Sequence, residues 1–225
     1  MAQLFQSSIG RKVAMALSAF FLMVFLLQHF AINSLSVINP DAFDEVSHFM
    51  GTNPVVQFAL QPVLIFGVLF HFMMGFILDF KNRKANGKSY VKYNGAANAK
   101  WASRNMILSG LVILGFMALH FVDFWFPEMN TKFIQGDWSG TAEGVEGLRY
   151  YEELRHKFVN PYRVGAYALA FVFLALHLNH GFTSAFQSVG STWGRKKLLQ
   201  TIGLIYAYVI PAGFIGIALF HHLTH

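Results

Sequence analysis

Hydrophobic and charged positions separate along this chain into long blocks. Five stretches, Val13–Ser36, Val55–Leu78, Asn105–Val122, Val164–Val189 and Leu198–Phe220, contain no Asp, Glu, Lys or Arg. Each reaches the ~18 residues that read as a membrane span. In lipid every backbone polar group must be bonded within the protein, so apolar runs of this kind predict transmembrane α-helices. The expected spans are about 12–37, 54–80, 103–126, 161–189 and 197–222, forming one all-α integral membrane bundle over residues 1–225. The first run is too long for the apolar core of a signal peptide, and no small-residue cleavage site follows it cleanly. It is expected to stay in the mature chain.

Local signals sharpen two of these boundaries. Asn53-Pro54 and Asn160-Pro161 each place a capping side chain before a proline at the first helical position. Pro62 and Pro211 fall inside the second and fifth spans, where a proline is expected to kink a helix. Pro127–Asn160 reads as the longest connecting segment, with a helical stretch over Tyr150–Phe158. Phe124-Trp125-Phe126 suits an interfacial aromatic belt.

Composition narrows the chemistry. Charged residues make up 12% of the chain, against about 25% in soluble domains. With no cysteine, disulfides, iron–sulfur clusters and covalently attached c-type haem are excluded for this chain. The net charge of +6 does not indicate nucleic acid, because it is distributed by side. Residues 1–12, 79–104 and 190–197 hold twelve of the 17 Lys and Arg and one of the 11 acids, Asp79. That asymmetry predicts a cytoplasmic N-terminus, five spans and an outer C-terminus. The basic segment Lys81–Arg104 serves as a topology signal, a docking face for a cytoplasmic partner, or both.

Five histidines fall within the spans: His29, His71, His120, His177 and His180. A single buried histidine is commonly a packing or hydrogen-bonding residue, but four helices each carrying one point to function. His29 lies seventeen residues after Lys12, and His120 sixteen after Arg104, on helices running outward. His71 lies seventeen residues after Pro54, and His177 sixteen after Pro161, on helices running inward. At 1.5 Å per residue each side chain lies ~25 Å from the boundary at which its helix starts. His29 and His120 therefore form an outer level, and His71 and His177 an inner one, roughly 15–20 Å apart. Two transverse pairs suit two b-type haems with bis-imidazole ligation, and disfavour one metal ion held at one depth.

Gly75 and Gly181 each follow an inner-level histidine by four residues, on the same helical face. A missing side chain there leaves room for a porphyrin edge, although close helix packing also uses glycine. Their equal offset selects His177 over His180 as ligand, leaving His180 as a satisfied polar residue. His48, His156, His221, His222 and His225 fall in outer loops or at the C-terminus, where the last three read as a solvated end.

Several short motifs occur in order along the chain: Leu27-Gln28-His29-Phe30 with Asn33, Ser47-His48-Phe49-Met50, Phe70-His71 with Gly75, Ser109-Gly110 before His120, His177 with Gly181, and Trp193-Gly194. Together they resemble the di-haem cytochrome b subunit of succinate:quinone oxidoreductases, the b558 type of succinate dehydrogenase and fumarate reductase. The resemblance covers almost the whole chain and implies axial ligands at His29, His71, His120 and His177. It also implies a bacterial inner membrane. The implied partners are a flavoprotein subunit with covalent FAD and an iron–sulfur subunit, docked on the cytoplasmic face near Lys81–Arg104 and Arg195-Lys196-Lys197. Menaquinone is the implied membrane substrate, beside the outer haem.

Donor side chains for a quinone on the outer side are Asn33, Asp44, His48 and Gln61, each of which has an equally good packing or solvation role. Propionates of an inner haem have Arg11, Lys12, Arg104, Ser109, Trp193 and Arg195 within reach of that level. The rival readings are a haem b subunit of a hydrogenase or formate dehydrogenase, a haem-free proton-coupled transporter, and a di-iron desaturase. The motif order disfavours the first. The second generally shows internal repeats or broken helices with acidic partners, and the third needs its histidines at one depth. Some di-haem fumarate reductases carry a proton-conducting glutamate two residues before the inner ligand of the fourth helix, where this chain has Ala175. Electron transfer across the membrane is therefore expected to be electrogenic. Proteoliposomes should develop a membrane potential during turnover, and strictly electroneutral turnover would contradict the expectation.

Overall fold

The computed structural model describes residues 7–85, 105–142, 144–145, 147–191 and 195–225, and among them there is no strand. In chain order the helices are α1, Ser8–Ile38; α2, Pro40–Thr52; α3, a π turn Val56–Leu60 continuing into Gln61–Ala85; α4, Met106–Ile134; α5, Tyr150–Lys157; α6, Pro161–Ser188; and α7, Lys196–Leu223. The five longest, α1, α3, α4, α6 and α7, are long and apolar enough to cross a membrane. The protein is an all-α, five-helix membrane bundle. The end at which α1 begins is called the near end, and the opposite one, which α2 and α5 cover, the far end. Trp193-Gly194, Arg104 and most of the basic segment lie outside the described residues.

Asparagine followed by proline starts three of these helices. Asn160 Oδ1 accepts the N–H groups of Tyr162 and Arg163, and Asn53 Oδ1 accepts those of Val55 and Val56. The third instance, Asn39-Pro40, opens α2, which the hydrophobic pattern leaves inside a connection. Asn39 ends α1 through its backbone N–H to Leu35 O and starts α2 by accepting from Ala42 N–H. One residue thus satisfies two orphaned helix ends.

Helix α4 continues to Ile134, eight residues beyond the expected end at 126. Pro127 is tolerated because the chain widens just before it: the Phe126 N–H reaches back five residues to Phe121 O. The same device precedes Pro62, where Gln61 N–H bonds to Val56 O. A π turn relieves the clash between a proline ring and the preceding turn. Pro211, the other expected kink site, is fully buried inside α7.

Helix α6 is the hub. It packs against α7, α4 and α1, while α1 also packs against α3 and α7. One buried cluster joins α6 and α7 to the far-end cap through Phe43, Leu154, Phe158, Tyr167, Phe171 and Phe214. A second holds α1, α6 and α7 together nearer the start of α1, through Ala16, Met23, Leu178, Phe182 and Ala207. Large apolar residues such as Val24, Phe66, Leu69 and Val209 face outward, as lipid contact requires.

The far-end cap is tied down by buried ions. Lys132 Nζ donates to Gly51 O at 2.5 Å and pairs with Glu128 at 2.5 Å. A Cβ on Gly51 would meet that ammonium at 2.6 Å, so glycine permits the approach. Arg149 bridges Glu128 and Glu153 at 2.5 Å each. Asp44 Oδ1 accepts the Tyr151 N–H at 2.7 Å, joining α2 to α5. Removing one partner of a buried pair strands the other. Arg149→Ala should lower stability by about 3 kcal/mol, read as a fall in Tm in detergent. Arg149→Lys should recover only part of it, because a lysine cannot form the two-pronged bridge.

Candidate functional site

The four histidines on separate helices meet as two pairs inside the bundle. His29 of α1 and His120 of α4 have ring centroids 5.8 Å apart with planes at 87°. His71 of α3 and His177 of α6 have centroids 6.3 Å apart with planes at 67°. These are the pairs the depth count selects. His180 is turned to its own helix, 3.2 Å from Ser184 Oγ.

The two levels can be measured along the helices. Ser18 Oγ of α1 lies 3.0 Å from His71 Nδ1, so Ser18 marks the near level on α1. Ser109 Oγ of α4 lies 3.2 Å from His177 Nδ1 and marks it on α4. His29 follows Ser18 by eleven residues, and His120 follows Ser109 by eleven. Eleven residues are three turns, so each serine and histidine share a helical face about 16 Å apart. Helices α1 and α4 therefore each contribute a serine to the near level and a histidine to the far level. Helices α3 and α6 contribute the near histidines.

Metal–imidazole bonds are about 2 Å long, and the ring centre lies about 1 Å further, so two axial imidazoles on one iron have centroids about 6 Å apart. Both pairs meet that spacing. A Cβ added to Gly181 meets nothing within 4 Å, and one added to Gly75 meets only the Met15 methyl at 3.8 Å. Both positions leave open space one turn from a near-level histidine, as a planar group needs. At the far level His120 Nδ1 is buried without a hydrogen-bond partner among the described residues. Two imidazoles per level, rather than three or more donors, suit a group that brings its own equatorial nitrogens. Among the described residues no three His, Asp or Glu converge on a metal position. The residues present fit haem.

Aromatic rings enclose the far pair. Phe25 stacks on His29 at 5.4 Å, Phe214 lies 5.8 Å from it, and Phe116 and Phe124 flank His120 at 5.8 and 5.2 Å. Asn33 Nδ2 donates to His29 O at 2.8 Å and lies 3.4 Å from His29 Nε2, so it belongs to the histidine's own turn. Asp44 and His48 come together on α2 against the start of α5, His48 Nδ1 lying 3.4 Å from the Tyr150 hydroxyl. Burial raises the Asp44 carboxyl above the usual carboxylate range, opposed by the Tyr151 N–H bond and aided by Asp41 and the α5 glutamates. Tyr150 is pushed up to about 12, first by burial and then by Glu128. Gln61 stands apart on α3, half-buried. At the near end, Arg11 lies two turns before Ser18 on the same face of α1, whereas Ser109 is engaged with His177.

Three features were not expected from the sequence. His221 is not part of a solvated end: it is fully buried, with Nε2 2.9 Å from Ser36 Oγ. Helix α7 carries it inward beneath Tyr151 and Phe158, and its neighbour His222 bonds Phe158 O at 2.8 Å. Asp123, just past a charge-free run, is 2% exposed within α4. It accepts the Tyr167 hydroxyl at 2.8 Å and pairs with Arg163 at 3.3 Å, while Tyr167 lies 6.5 Å from the His120 ring. Its signal was spacing: it follows His120 by three residues, one turn on the same side. The serines were legible only in part, as Ser109-Gly110.

These features define a five-span membrane protein with paired imidazoles at two depths. Compared with protein-family models, curated proteins and solved structures, the chain matches none. Asp123→Ala would leave Tyr167 and Arg163 without their buried acceptor. A loss of about 3 kcal/mol is expected, measurable by thermal unfolding, with Asp123→Asn keeping the tyrosine bond and losing less.

Proposed function

We propose that this chain is the di-haem cytochrome b membrane anchor of a succinate:quinone oxidoreductase, holding two b haems between His71 and His177 and between His29 and His120. The observation that carries the reading is the pairing of four imidazoles from four helices at two levels, each pair at the spacing of two axial ligands on one iron. The ordered motifs from Leu27 to Trp193-Gly194 favour this family over other haem b subunits.

Haem b, when bound between these pairs, would supply a one-electron carrier. The chain's own residues do the rest. The imidazoles fix two positions about 16 Å apart along α1 and α4, which would place the two carriers about half the thickness of the ~30 Å bilayer core from each other. Gly75 and Gly181 leave room at the near level. Phe25, Phe116, Phe124 and Phe214 keep water from the far level. The basic near end faces the cytoplasm and receives an iron–sulfur subunit, with the FAD-bearing flavoprotein beyond it. Menaquinone reacts at the far end, where Asp44, His48 and Tyr150 form a cluster able to exchange protons with water.

The test is a reduced-minus-oxidised spectrum of the purified protein expressed with ample haem. Two low-spin b haems per chain are expected. His71→Ala or His177→Ala should each remove one haem, and His29→Ala or His120→Ala the other, leaving about half the absorbance each time. A colourless chain, or one porphyrin in the unaltered protein, overturns the assignment. In native membranes succinate should reduce both haems; reduction by formate or hydrogen alone would move the chain to another respiratory dehydrogenase.

A further inference from the structure

We infer that Ser18 and Ser109 are positioning residues that lock the two near-level imidazoles into the tautomer able to bind iron and lower the potential of that iron. The inference rests on the function proposed above and adds residues to the same site.

Each serine has one hydroxyl proton, and it is already committed. Ser18 Oγ donates to Met15 O at 2.8 Å, and Ser109 Oγ donates to Met106 O at 2.9 Å. Toward the rings each oxygen presents only lone pairs. In the contacts of 3.0 Å to His71 Nδ1 and 3.2 Å to His177 Nδ1 the ring nitrogen must therefore donate. A neutral imidazole has one N–H, so with the proton on Nδ1 the bare lone pair is on Nε2. That is the nitrogen left to bind metal. Ser18 and Ser109 are 9% and 5% exposed, so water does not compete for the bond.

The arrangement crosses helices. Ser18 of α1 holds a ring on α3, and Ser109 of α4 holds a ring on α6. Two helices without a near-level ligand thus orient the two that have one. A hydrogen bond from the second ring nitrogen to an acceptor also makes an imidazole a stronger donor to its metal, which favours the oxidised iron. Among the described residues the far level has no such acceptor. His120 Nδ1 is without a partner, and the polar group beside the His29 ring is Asn33 Nδ2, itself a donor already bonded to His29 O.

The experiment is a potentiometric titration of the full-length, haem-loaded protein, with the low-spin ferric EPR signals recorded alongside. Ser18→Ala and Ser109→Ala should each raise the near-level midpoint so that its reduced-to-oxidised ratio at fixed potential increases up to tenfold, equivalent to 59 mV for one electron. The near-level EPR signal should shift and the far-level wave should stay in place. Ser18→Thr and Ser109→Thr keep a hydroxyl that can make the same backbone bond, and should return the ratio to within threefold of the parent. If both alanine variants bind two haems with unmoved near-level potential and EPR signal, the inference is wrong and the function stands. If threonine fails as alanine does, packing rather than the hydrogen bond is responsible, and the inference is again wrong. A parent protein that binds no haem removes both.

Discussion

A neutral imidazole carries one proton and one lone pair, and inside a bilayer neither finds water. Each nitrogen must be matched by protein or by a ligand, or it remains costly where it sits. Four such rings placed mid-membrane on four helices therefore constrain everything around them. At the near level the Nδ1 groups are matched by serine oxygens from neighbouring helices. With the proton on Nδ1, each near-level ring keeps its one lone pair on Nε2.

The helices fall into two kinds that repeat. Helices α1 and α4 carry Ser18 with His29 and Ser109 with His120, each pair eleven residues apart on one face. Helices α3 and α6 carry His71 with Gly75 and His177 with Gly181, each pair four residues apart. A three-turn interval sets the vertical separation of the levels, and a one-turn interval opens space beside the near one. Because α1 and α4 run the same way, and α3 and α6 the opposite way, two repeats suffice to build both levels. Helix α7 contributes no ring to either pair. It buttresses α6 and α1 instead, and its Phe214 closes one side of the far level.

What could be read from the sequence was whatever obeys a one-dimensional rule. Span number follows from charge-free length, and histidine level follows from counting residues to a boundary, so both were legible without coordinates. Asn-Pro was a reliable helix start, and a third instance at Asn39-Pro40 was available but lay outside any apolar run. Pro127 misled because proline inside a helix depends on whether the preceding turn can widen, a three-dimensional question. Ser18 carried no local signal at all: its partner is 53 residues away, and serine is common on helix faces. His221 was read by its closeness to the chain end, yet burial depends on what lies above it. Here that is α5, folded back over the bundle by the Asp44 bond to Tyr151. Asp123 borders the charge-free run Asn105–Val122, and its partners Tyr167 and Arg163 come from another helix, so its burial follows from packing rather than from local sequence.

The two ends of the molecule solve opposite problems. At the near end basic residues are exposed, Lys12 on α1 and Lys196 and Lys197 at the start of α7. At the far end charge is turned inward. Lys132 and Arg149 are almost wholly buried and held by Glu128 and Glu153, while Lys132 also donates to Gly51 O and Tyr151 N–H donates to Asp44. Buried pairs of this kind contribute less net stability than apolar packing of the same volume, but they hold only one geometry well.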